Sequence, residues 1–339
     1  MALLNRTRLN ALASVEEKEL RSFRSIASGF LVGFLSHTSK IPEKRRYRIF
    51  LVTNRHVFEG KDEVFLRFNK RGGGTTRFAV NLVVSGQPIW LAHRSKKVDL
   101  AMLTVNPKTL DRHNVDWVFF NEEMFAYQRS FQKIGIELGD AVFVLGFPLG
   151  LSGRLQNFPI VRQGVISRCD KEILSSEKAF IVDASIFPGN SGGPVLLKPE
   201  LSSLGGTQAV NTAYLLGVVA GYLPYKEILY SHQTTLPSYA GVSVENSDLG
   251  YVVPMDYVRQ IYRNWVKTKK KLAAAHKGTE KSAAEPLMLK CKSCGKPFNS
   301  GIVMDRKSYE TATLRNNRHR CSQCGVVESY DKEDYFFEG

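Results

Sequence analysis

The sequence predicts an all-β fold built from barrels, with helices only at its edges. Short runs rich in β-branched and aromatic residues recur along the chain, and glycine- or proline-rich pieces separate them at regular spacing. The chain has 339 residues, of which 43% are apolar. A chain of this length and composition can bury a large core, so two or three domains are expected.

The predicted strands form two consecutive series. The first series covers residues 30–35, 47–53, 64–68, 78–84 and 100–105. The second series covers residues 141–145, 160–167, 179–182, 194–197, 215–221 and 251–254. Within the second series, residues 223–248 form a long insertion between two strands. Insertions of this length in a compact domain are typical of functional or disordered loops, so either a regulatory or substrate-gripping role or simple disorder fits this one.

Two helices are predicted at the ends of this region. Residues 1–24 are predicted to be helical because Ser-Val-Glu-Glu at 14–17 matches a capping box, and Leu20 and Phe23 share one helical face. The second helix is predicted from Met255 to about residue 270. Its apolar residues recur at helical spacing and are expected to be packing residues: Tyr257, Val258, Ile261, Tyr262 and Trp265.

Three polar residues at the edges of predicted strands suggest catalysis. Ser191 lies between glycines in Phe-Pro-Gly-Asn-Ser-Gly-Gly-Pro at 187–194, a turn that exposes its hydroxyl group and frees backbone amides. His56 lies near the end of the run 51–57, and Asp99 opens an apolar strand. Alone, Ser191 could be a turn residue and Asp99 a carboxylate satisfied by local amides. Together, their order predicts the base, orienting carboxylate and nucleophile of acyl transfer.

These segments resemble the catalytic signatures of trypsin-like serine peptidases, and they are most similar to the HtrA/Deg-like branch. The matching motifs are Thr-Asn-Arg-His at 53–56, Asp-Leu-Ala at 99–101 and Gly-Asn-Ser-Gly-Gly-Pro at 189–194. Further matches lie at 146–150, 164–167, 182–185 and 249–254, so the resemblance spans roughly residues 26–265. HtrA-like proteins commonly carry a PDZ module after the protease. Here only about 53 residues follow Pro286, too few for one.

The resemblance implies a fold and a set of roles. It implies a protease domain at 25–265 with two six-stranded antiparallel β-barrels, split near residue 135. His56 and Asp99 would come from the first barrel and Ser191 from the second. His56 would act as general base, Asp99 would orient it, and the backbone N–H groups of Gly189 and Ser191 would form the oxyanion hole.

Substrate preference and activation are also implied by the resemblance. Ser185, six residues before Ser191, would line the base of the S1 specificity pocket, and residues 218–221, with Val219 and Ala220, would form one wall. No acid occupies position 185, so a small or medium apolar side chain is expected before the scissile bond. Residue 190 is Asn, where zymogen-type trypsins have Asp, so activation by N-terminal cleavage is not expected and loop rearrangement is.

Four of the five cysteines predict a metal site. Cys291, Cys294, Cys321 and Cys324 form two Cys-x-x-Cys-Gly pairs separated by 26 residues. Paired cysteines of this kind indicate a tetrahedral Cys₄ zinc ribbon, placed at 287–339, that is folded largely by structural Zn²⁺. His319 is a possible substitute ligand, and four reduced structural thiols are the alternative. Cys169 has no evident partner.

The charge of the chain is concentrated in one stretch. The formal net charge is +15, and residues 267–281 carry six lysines against the single acid Glu280. The segment 266–286 is therefore interpreted as a flexible Lys/Ala-rich linker, although a nucleic-acid-binding patch would look similar. From residue 287 onward nine basic residues face seven acidic ones. This near balance favours docking of a protein partner on the ribbon over binding of nucleic acid.

The sequence favours a reduced cytoplasmic setting and an enzyme. No apolar run approaches the 18 residues of a membrane helix, acids stand where a signal-peptide core would lie, and the cysteine pattern fits metal rather than disulfides. The leading hypothesis is an intracellular serine endopeptidase that cleaves proteins or peptides, with the ribbon as a recruitment or regulatory module. A catalytically silent binding module on a protease scaffold, or a nucleic-acid-binding protein using the linker and ribbon, are the alternatives.

Overall fold

The first series of strands folds into one sheet. The computed structural model describes residues 6–41, 44–200, 209–231, 238–279 and 284–338. The strands of the first part of the chain are β1 (Leu12–Lys18), β2 (Phe23–His37), β3 (Arg46–Thr53), β4 (Glu63–Asn69), β5 (Thr75–Asn81), β6 (Val83–Val84), β7 (Gln87–Pro88), β8 (Leu91–Ala92), β9 (Ala101–Val105) and β10 (Phe120–Asn121). The sheet has the order β5-β4-β1-β2-β3-β9-β8, and β10 adds to β2 in parallel. The hairpin β6–β7 is separate.

This sheet differs from the expected six strands. Six strands of five or more residues form its body, and the two-residue strands β8 and β10 bring the total to eight. Its inner face buries an apolar cluster because alternate side chains of a strand point to opposite faces. Members of this cluster include Ala13, Val15, Leu31, Leu51, Phe58, Val64, Leu66, Phe68 and Leu103.

The prediction of an N-terminal helix over residues 1–24 is wrong for the described part, residues 6–24, and residues 1–5 lie outside the described residues. Arg6–Ala11 is a 3₁₀ helix, and the residues after it form β1, which pairs with both β2 and β4. Glu16 of β1 is buried. Its carboxylate accepts a hydrogen bond of 2.6 Å from Arg77 Nε and lies 3.8 Å from Arg67 Nη1. Pairing on both edges and these buried ionic contacts outweigh the local helical pattern.

The second series of strands closes into a six-stranded antiparallel barrel, as predicted. Its strands are β11 (Ala141–Gly146), β12 (Ile160–Arg168), β13 (Phe180–Asp183), β14 (Pro194–Leu197), β15 (Leu215–Ser231) and β16 (Ser238–Pro254). Around the barrel the order is β11-β12-β13-β16-β15-β14. Its interior is filled by Val142, Val144, Ile166, Phe180, Val182, Val195, Leu197, Leu216, Val219 and Val252, among others.

The predicted insertion 223–248 is a β-ribbon rather than a loop. β15 and β16 continue to pair beyond the barrel, from Pro224 opposite Asn246 to Ser231 opposite Ser238. One face of the ribbon carries exposed apolar side chains, since Ile228 pairs with Val242 and both are about half exposed. The tip of the insertion, residues 232–237, lies outside the described residues.

Helices connect and flank these sheets. They are α1 (Arg55–Phe58), α2 (Pro107–Arg112), α3 (Phe131–Ile134), α4 (Lys171–Ser176) and α5 (Met255–Thr279). The packing predicted for α5 is present, since Val258 and Ile261 are buried and Tyr262 stacks on Phe34 with ring centroids 3.9 Å apart. α5 also extends through most of the predicted linker 266–286, so that segment is helical up to Thr279 rather than irregular. None of the helices in the described ranges is both long and apolar enough to span a membrane.

Contacts divide the chain into two units, Met1–Asn264 and Trp265–Gly339. The second unit contains β17 (Glu285–Lys290), β18 (Pro297–Met304), α6 (Arg306–Thr311), β19 (Asn317–Arg320), β20 (Val327–Tyr330) and β21 (Tyr335–Phe337). β17 lies between β18 and β21, and β19 and β20 form a separate hairpin. Together they enclose a small core of Leu287, Leu289, Cys291, Phe298, Cys321, Tyr330 and Tyr335.

Candidate active site and cysteine cluster

The structure brings His56 and Asp99 into direct contact. The buried apolar strand β3 ends at Thr53, and Asn54 in an extended conformation starts α1, which places His56 at the rim of the sheet. Asp99 lies just before β9, the neighbour of β3. His56 Nδ1 is 2.6 Å from Asp99 Oδ2, and the backbone N–H of His56 donates to Asp99 Oδ1 at 3.0 Å. The carboxylate therefore fixes the ring and leaves Nε2 free to face a reactant.

Asn54 supports this pair from below. Its side-chain amide donates a hydrogen bond of 2.7 Å to the carbonyl oxygen of Asp99, and Asn54 itself is fully buried. The bond ties the start of α1 to the start of β9. The sequence motif contains Asn54, but its role depends on strand pairing that the motif alone does not give.

Ser191 lies in the tight turn between β13 and β14, as the sequence predicted. The turn is closed by the N–H of Asn190 donating to the carbonyl of Phe187 at 3.0 Å and by that of Gly193 donating to Asn190 at 2.8 Å. Gly189 has a φ of +98°. A Cβ at this position would also collide with the carbonyl oxygen of Phe147, so only glycine fits.

Two backbone amides beside the hydroxyl group are available for a ligand. Among the hydrogen bonds of the described residues, the N–H groups of Gly189 and Ser191 donate to no protein acceptor. These are the two donors expected to form an oxyanion hole. Loop amides left unpaired beside a potential nucleophile are suited to bind developing negative charge.

Ser28, which the sequence interpretation missed, joins the first sheet to the second barrel at this point. It lies in the buried part of β2 and is itself completely buried. Its hydroxyl group donates to the carbonyl of Gly189 at 2.7 Å and accepts from the N–H of Phe147 at 2.9 Å. Its own N–H donates to the carbonyl of Ser191 at 2.8 Å. The available signal was a small polar residue just before the predicted apolar strand 30–35.

Contacts of Thr53 bring the end of β3 to the same place. Thr53 Oγ1 donates to the carbonyl of Ser28 at 2.8 Å. Gly192 packs so closely on Thr53 that a Cβ there would collide with the threonine side chain. The strand that leads to His56 thus touches the turn that carries Ser191. Within the described residues, no hydrogen bond links Ser191 Oγ to the His56 ring.

The residues expected to line the S1 pocket occupy different environments. Ser185 lies in the half-buried loop that precedes the turn, and Ala220 is half-buried in β15. The side chain of Val219 is fully buried in the interior of the barrel. Only its backbone borders the turn, through a 2.8 Å bond from the N–H of Gly192 to its carbonyl. Val219 therefore cannot offer a side-chain wall to a substrate.

The four paired cysteines converge in the second unit. Their sulfur atoms all lie within 4.8 Å of one another. Cys291 Sγ is 3.7 Å from Cys324 Sγ, and Cys294 Sγ is 3.8 Å from Cys321 Sγ. Four sulfurs at ~2.3 Å from a tetrahedral zinc ion would be separated by about 3.8 Å, whereas a disulfide needs ~2 Å. The donor set and spacing fit a metal ion.

Backbone amides donate to two sulfur atoms of this cluster. The N–H of Cys294 donates to Cys291 Sγ at 3.4 Å, and that of Gln323 to Cys321 Sγ at 3.3 Å. Hydrogen bonding from the Cys294 amide, followed by that of Ser293, lowers the pKa of Cys291 to about 6. His319, the possible substitute ligand, instead has its Nε2 2.8 Å from the hydroxyl of Tyr335.

The fold and the candidate site of the first unit identify the class of protein to which the chain belongs. The trypsin-like peptidases combine a closed six-stranded barrel, a second β-sheet and a histidine–carboxylate pair. Here that pair follows a strand whose end packs on a Gly-Asn-Ser-Gly turn. Residues 27–200 match the family model of the trypsin-like peptidase domain, and the chain belongs to this family. The all-β trypsin-like fold predicted from the sequence is confirmed.

Curated relatives agree with the HtrA/Deg-like resemblance. The chain is 28% identical over 168 residues to the magnetosome formation protease MamE of Paramagnetospirillum magneticum, which covers 48% of this chain. It is 26% identical over 155 residues to a serine protease DegP homolog of Plasmodium falciparum, covering 44% of this chain. The matches span only 18% and 14% of those proteins.

Solved structures of a mycobacterial protease are also similar. An inactive form of Rv3671c is 16% identical and covers 76% of this chain and 89% of its own, with a TM-score of 0.36. A mutant of Rv3671c from M. tuberculosis H37Rv, also inactive, is 15% identical, covers 77% and 91%, and has a TM-score of 0.38.

Proposed function

We propose that the protein is a serine endopeptidase that cleaves peptide bonds through His56, Asp99 and Ser191. The observation that carries the proposal is the pairing of His56 Nδ1 with Asp99 Oδ2 at 2.6 Å, just after a strand whose end, Thr53, packs on the turn of Ser191. The amides of Gly189 and Ser191 in that turn are unpaired among the described residues. A histidine held in one tautomer by a carboxylate can accept a proton on its other nitrogen. That is the function of a general base.

The reaction follows from these positions. His56 Nε2 accepts the proton of Ser191 Oγ as the oxygen attacks the substrate carbonyl carbon. The carbonyl oxygen, now negative, accepts hydrogen bonds from the N–H groups of Gly189 and Ser191, each donor contributing about 3 kcal/mol. His56 then donates its proton to the leaving amine, which leaves an ester on Ser191. Water attacks this ester with His56 again as base and restores the serine.

We propose that the second unit is a zinc ribbon that recruits a protein partner or regulates the peptidase. Cys291, Cys294, Cys321 and Cys324 would hold Zn²⁺, which would stabilise the fold of this small unit. Thiolate ligands that stay reduced support a reducing, cytoplasmic setting. The side chains around the cluster carry both charge signs, as in the pair of Lys292 with Asp334 at 2.9 Å. A mixed surface of this kind supports protein docking over phosphate binding.

A fluorophosphonate probe tests the peptidase proposal. The wild-type protein should be labelled at Ser191 and should hydrolyse a quenched casein substrate, while Ser191→Ala should show neither reaction. Ser175→Ala is the control because Ser175 is an exposed serine of α4 that is given no role in binding or catalysis. Equal labelling of wild type and Ser191→Ala would refute the assignment.

One observation favours a second candidate, a binding module on a protease scaffold. That observation is the absence of a hydrogen bond between Ser191 Oγ and the His56 ring within the described residues. Such a bond often forms only when substrate binds, so labelling by the probe has to decide between the two candidates. A wild-type protein that folds and binds peptides but is not labelled by the probe would be such a module.

A further inference from the structure

The side chain of Arg162 lies on the inner face of the second barrel. It lies in β12 directly opposite Val144 of β11. Residues directly opposite each other on an antiparallel pair share one face of the sheet. Val144 belongs to the buried interior of the barrel. Arg162 therefore projects inward, and it is half-buried.

The Arg162 guanidinium lies over the side chain of Phe187. Its central carbon is 5.0 Å from the centroid of that ring. Phe187 is the first residue of the turn closed by Asn190, and the ends of such a turn lie within about 7 Å. Ser191 follows at once. The cation is thus held one turn away from the proposed nucleophile.

Arg162 has no acidic partner among the described residues. Its Nε is buried and has no hydrogen-bond acceptor. Asp183 of the adjacent strand β13 pairs with Val165 and so lies on the outer face of the barrel. Arg168 at the end of the same strand is different, since its Nε is 2.6 Å from Asp170 and its Nη2 3.3 Å from Glu172.

An unpaired cation in a partly desolvated position favours an incoming anion. Removing a guanidinium from water costs free energy that a carboxylate can recover through charge-assisted hydrogen bonds. A planar guanidinium offers several donors in the geometry of a carboxylate, and the aromatic ring beneath it holds its orientation.

We propose that Arg162 is a specificity-determining residue that binds a carboxylate of the substrate next to the scissile bond. The inference rests on the proposed peptidase function and replaces the expectation of a purely apolar preference. The carboxylate comes either from an internal Asp or Glu side chain or from the free C-terminus of a peptide. Both would reach the same guanidinium.

Matched peptides test the proposal. The substrates are pairs of internally quenched decapeptides that differ only in having Glu or Gln at one position. One pair is made for each of the two residues before the scissile bond and each of the two residues after it. Wild type should cleave the Glu peptide with a kcat/KM about tenfold to hundredfold higher at one of these positions. In Arg162→Gln the Glu/Gln ratio should fall to about one, and Arg162→Lys should retain part of it.

Controls separate the two sources of carboxylate and the two levels of the proposal. A peptide pair with free-acid or amidated C-terminus shows whether the terminal carboxylate is the ligand. Arg168→Gln, which removes an arginine already paired with acids, should leave the Glu/Gln ratio unchanged. Binding of the same labelled peptides to Ser191→Ala needs no catalysis, so it tests Arg162 even if the peptidase proposal fails. If Ser191→Ala with Arg162 intact bound every acidic peptide and its neutral counterpart with equal affinity, the inference would be overturned.

Discussion

The buried hydroxyl group of Ser28 donates a hydrogen bond of 2.7 Å to the carbonyl oxygen of Gly189, across the junction of the first sheet and the second barrel. The neighbouring N–H of Ser28 holds the carbonyl of Ser191 at 2.8 Å. One residue of β2 thus fixes two carbonyl groups of the turn. With these carbonyls held, the peptide groups of the turn keep their orientation.

Replacing Ser28 with Ala should lower both stability and turnover. The substitution leaves the carbonyl of Gly189 and the N–H of Phe147 buried without the partner, which costs about 1–3 kcal/mol in the free energy of unfolding. We expect kcat to fall more than KM rises, because the amides of the turn lose their support. Urea unfolding measures the free energy of unfolding, and peptide hydrolysis measures kcat and KM. Ser36→Ala, at an exposed position of the same strand, should change none of them. An unchanged kcat in folded Ser28→Ala would contradict this role.

The sequence predicted the parts of this site that depend on local patterns. The turn 187–194 has its own glycines, and the strands around it alternate or run apolar over short spans, so the six strands of the second barrel were found. Ser28 was missed because its partner Gly189 is 161 positions away. Its importance follows from strand packing that no local pattern contains.

The same reason explains the errors at the N-terminus and in the insertion. The residues 14–17 fit a helix cap and a strand equally well, and pairing of β1 with two neighbours decides between them. The segment 223–248 was interpreted as a loop because of its length, but its two halves pair with each other as strands. The inward direction of Arg162 likewise depends on its register opposite Val144.

Asp99→Asn should reduce turnover without unfolding the protein. The amide keeps the shape of the carboxylate, but it can stabilise neither the tautomer nor the charged form of His56 that the reaction needs. A decrease in kcat of about 10⁴-fold is expected. Asp111→Asn is the control, because Asp111 is an exposed carboxylate whose contact with Arg71 spans 3.4 Å. A decrease of less than tenfold in Asp99→Asn would argue against the orienting role.

Gly189→Ala should be more damaging than a comparable change at another glycine with positive φ. Gly86 has a φ of +73° and open space around it, so Gly86→Ala should cost only the left-handed conformation, about 1–2 kcal/mol. At Gly189 the added Cβ also meets the carbonyl of Phe147, so the turn must shift. We expect fluorophosphonate labelling to be lost in Gly189→Ala and retained in Gly86→Ala. Similar labelling of both variants would show that the turn tolerates displacement.

Removal of the metal should affect the second unit. Native mass spectrometry should find one zinc ion per chain. A strong chelator should release this ion, and hydrogen exchange should then show loss of structure in residues 284–338. Cys321→Ser should bind zinc more weakly, since it removes one of four converging thiolates. Cys169→Ser should bind zinc normally, because Cys169 lies in the first unit. Retention of zinc by a variant lacking both Cys291 and Cys321 would refute the site.

Cys169 should be a poorly reactive thiol at neutral pH. Burial, and to a smaller degree the charge of Asp170, raise its pKa to about 11. The thiolate is the reactive form, so a raised pKa leaves little of it below pH 11. In zinc-loaded protein, alkylation of Cys169 by iodoacetamide should be slow at pH 8 and rise about tenfold per pH unit until near pH 11. In urea the rate should level off near pH 8.5, the range of an unperturbed cysteine, and the same plateau in the folded protein would show that burial does not control this thiol.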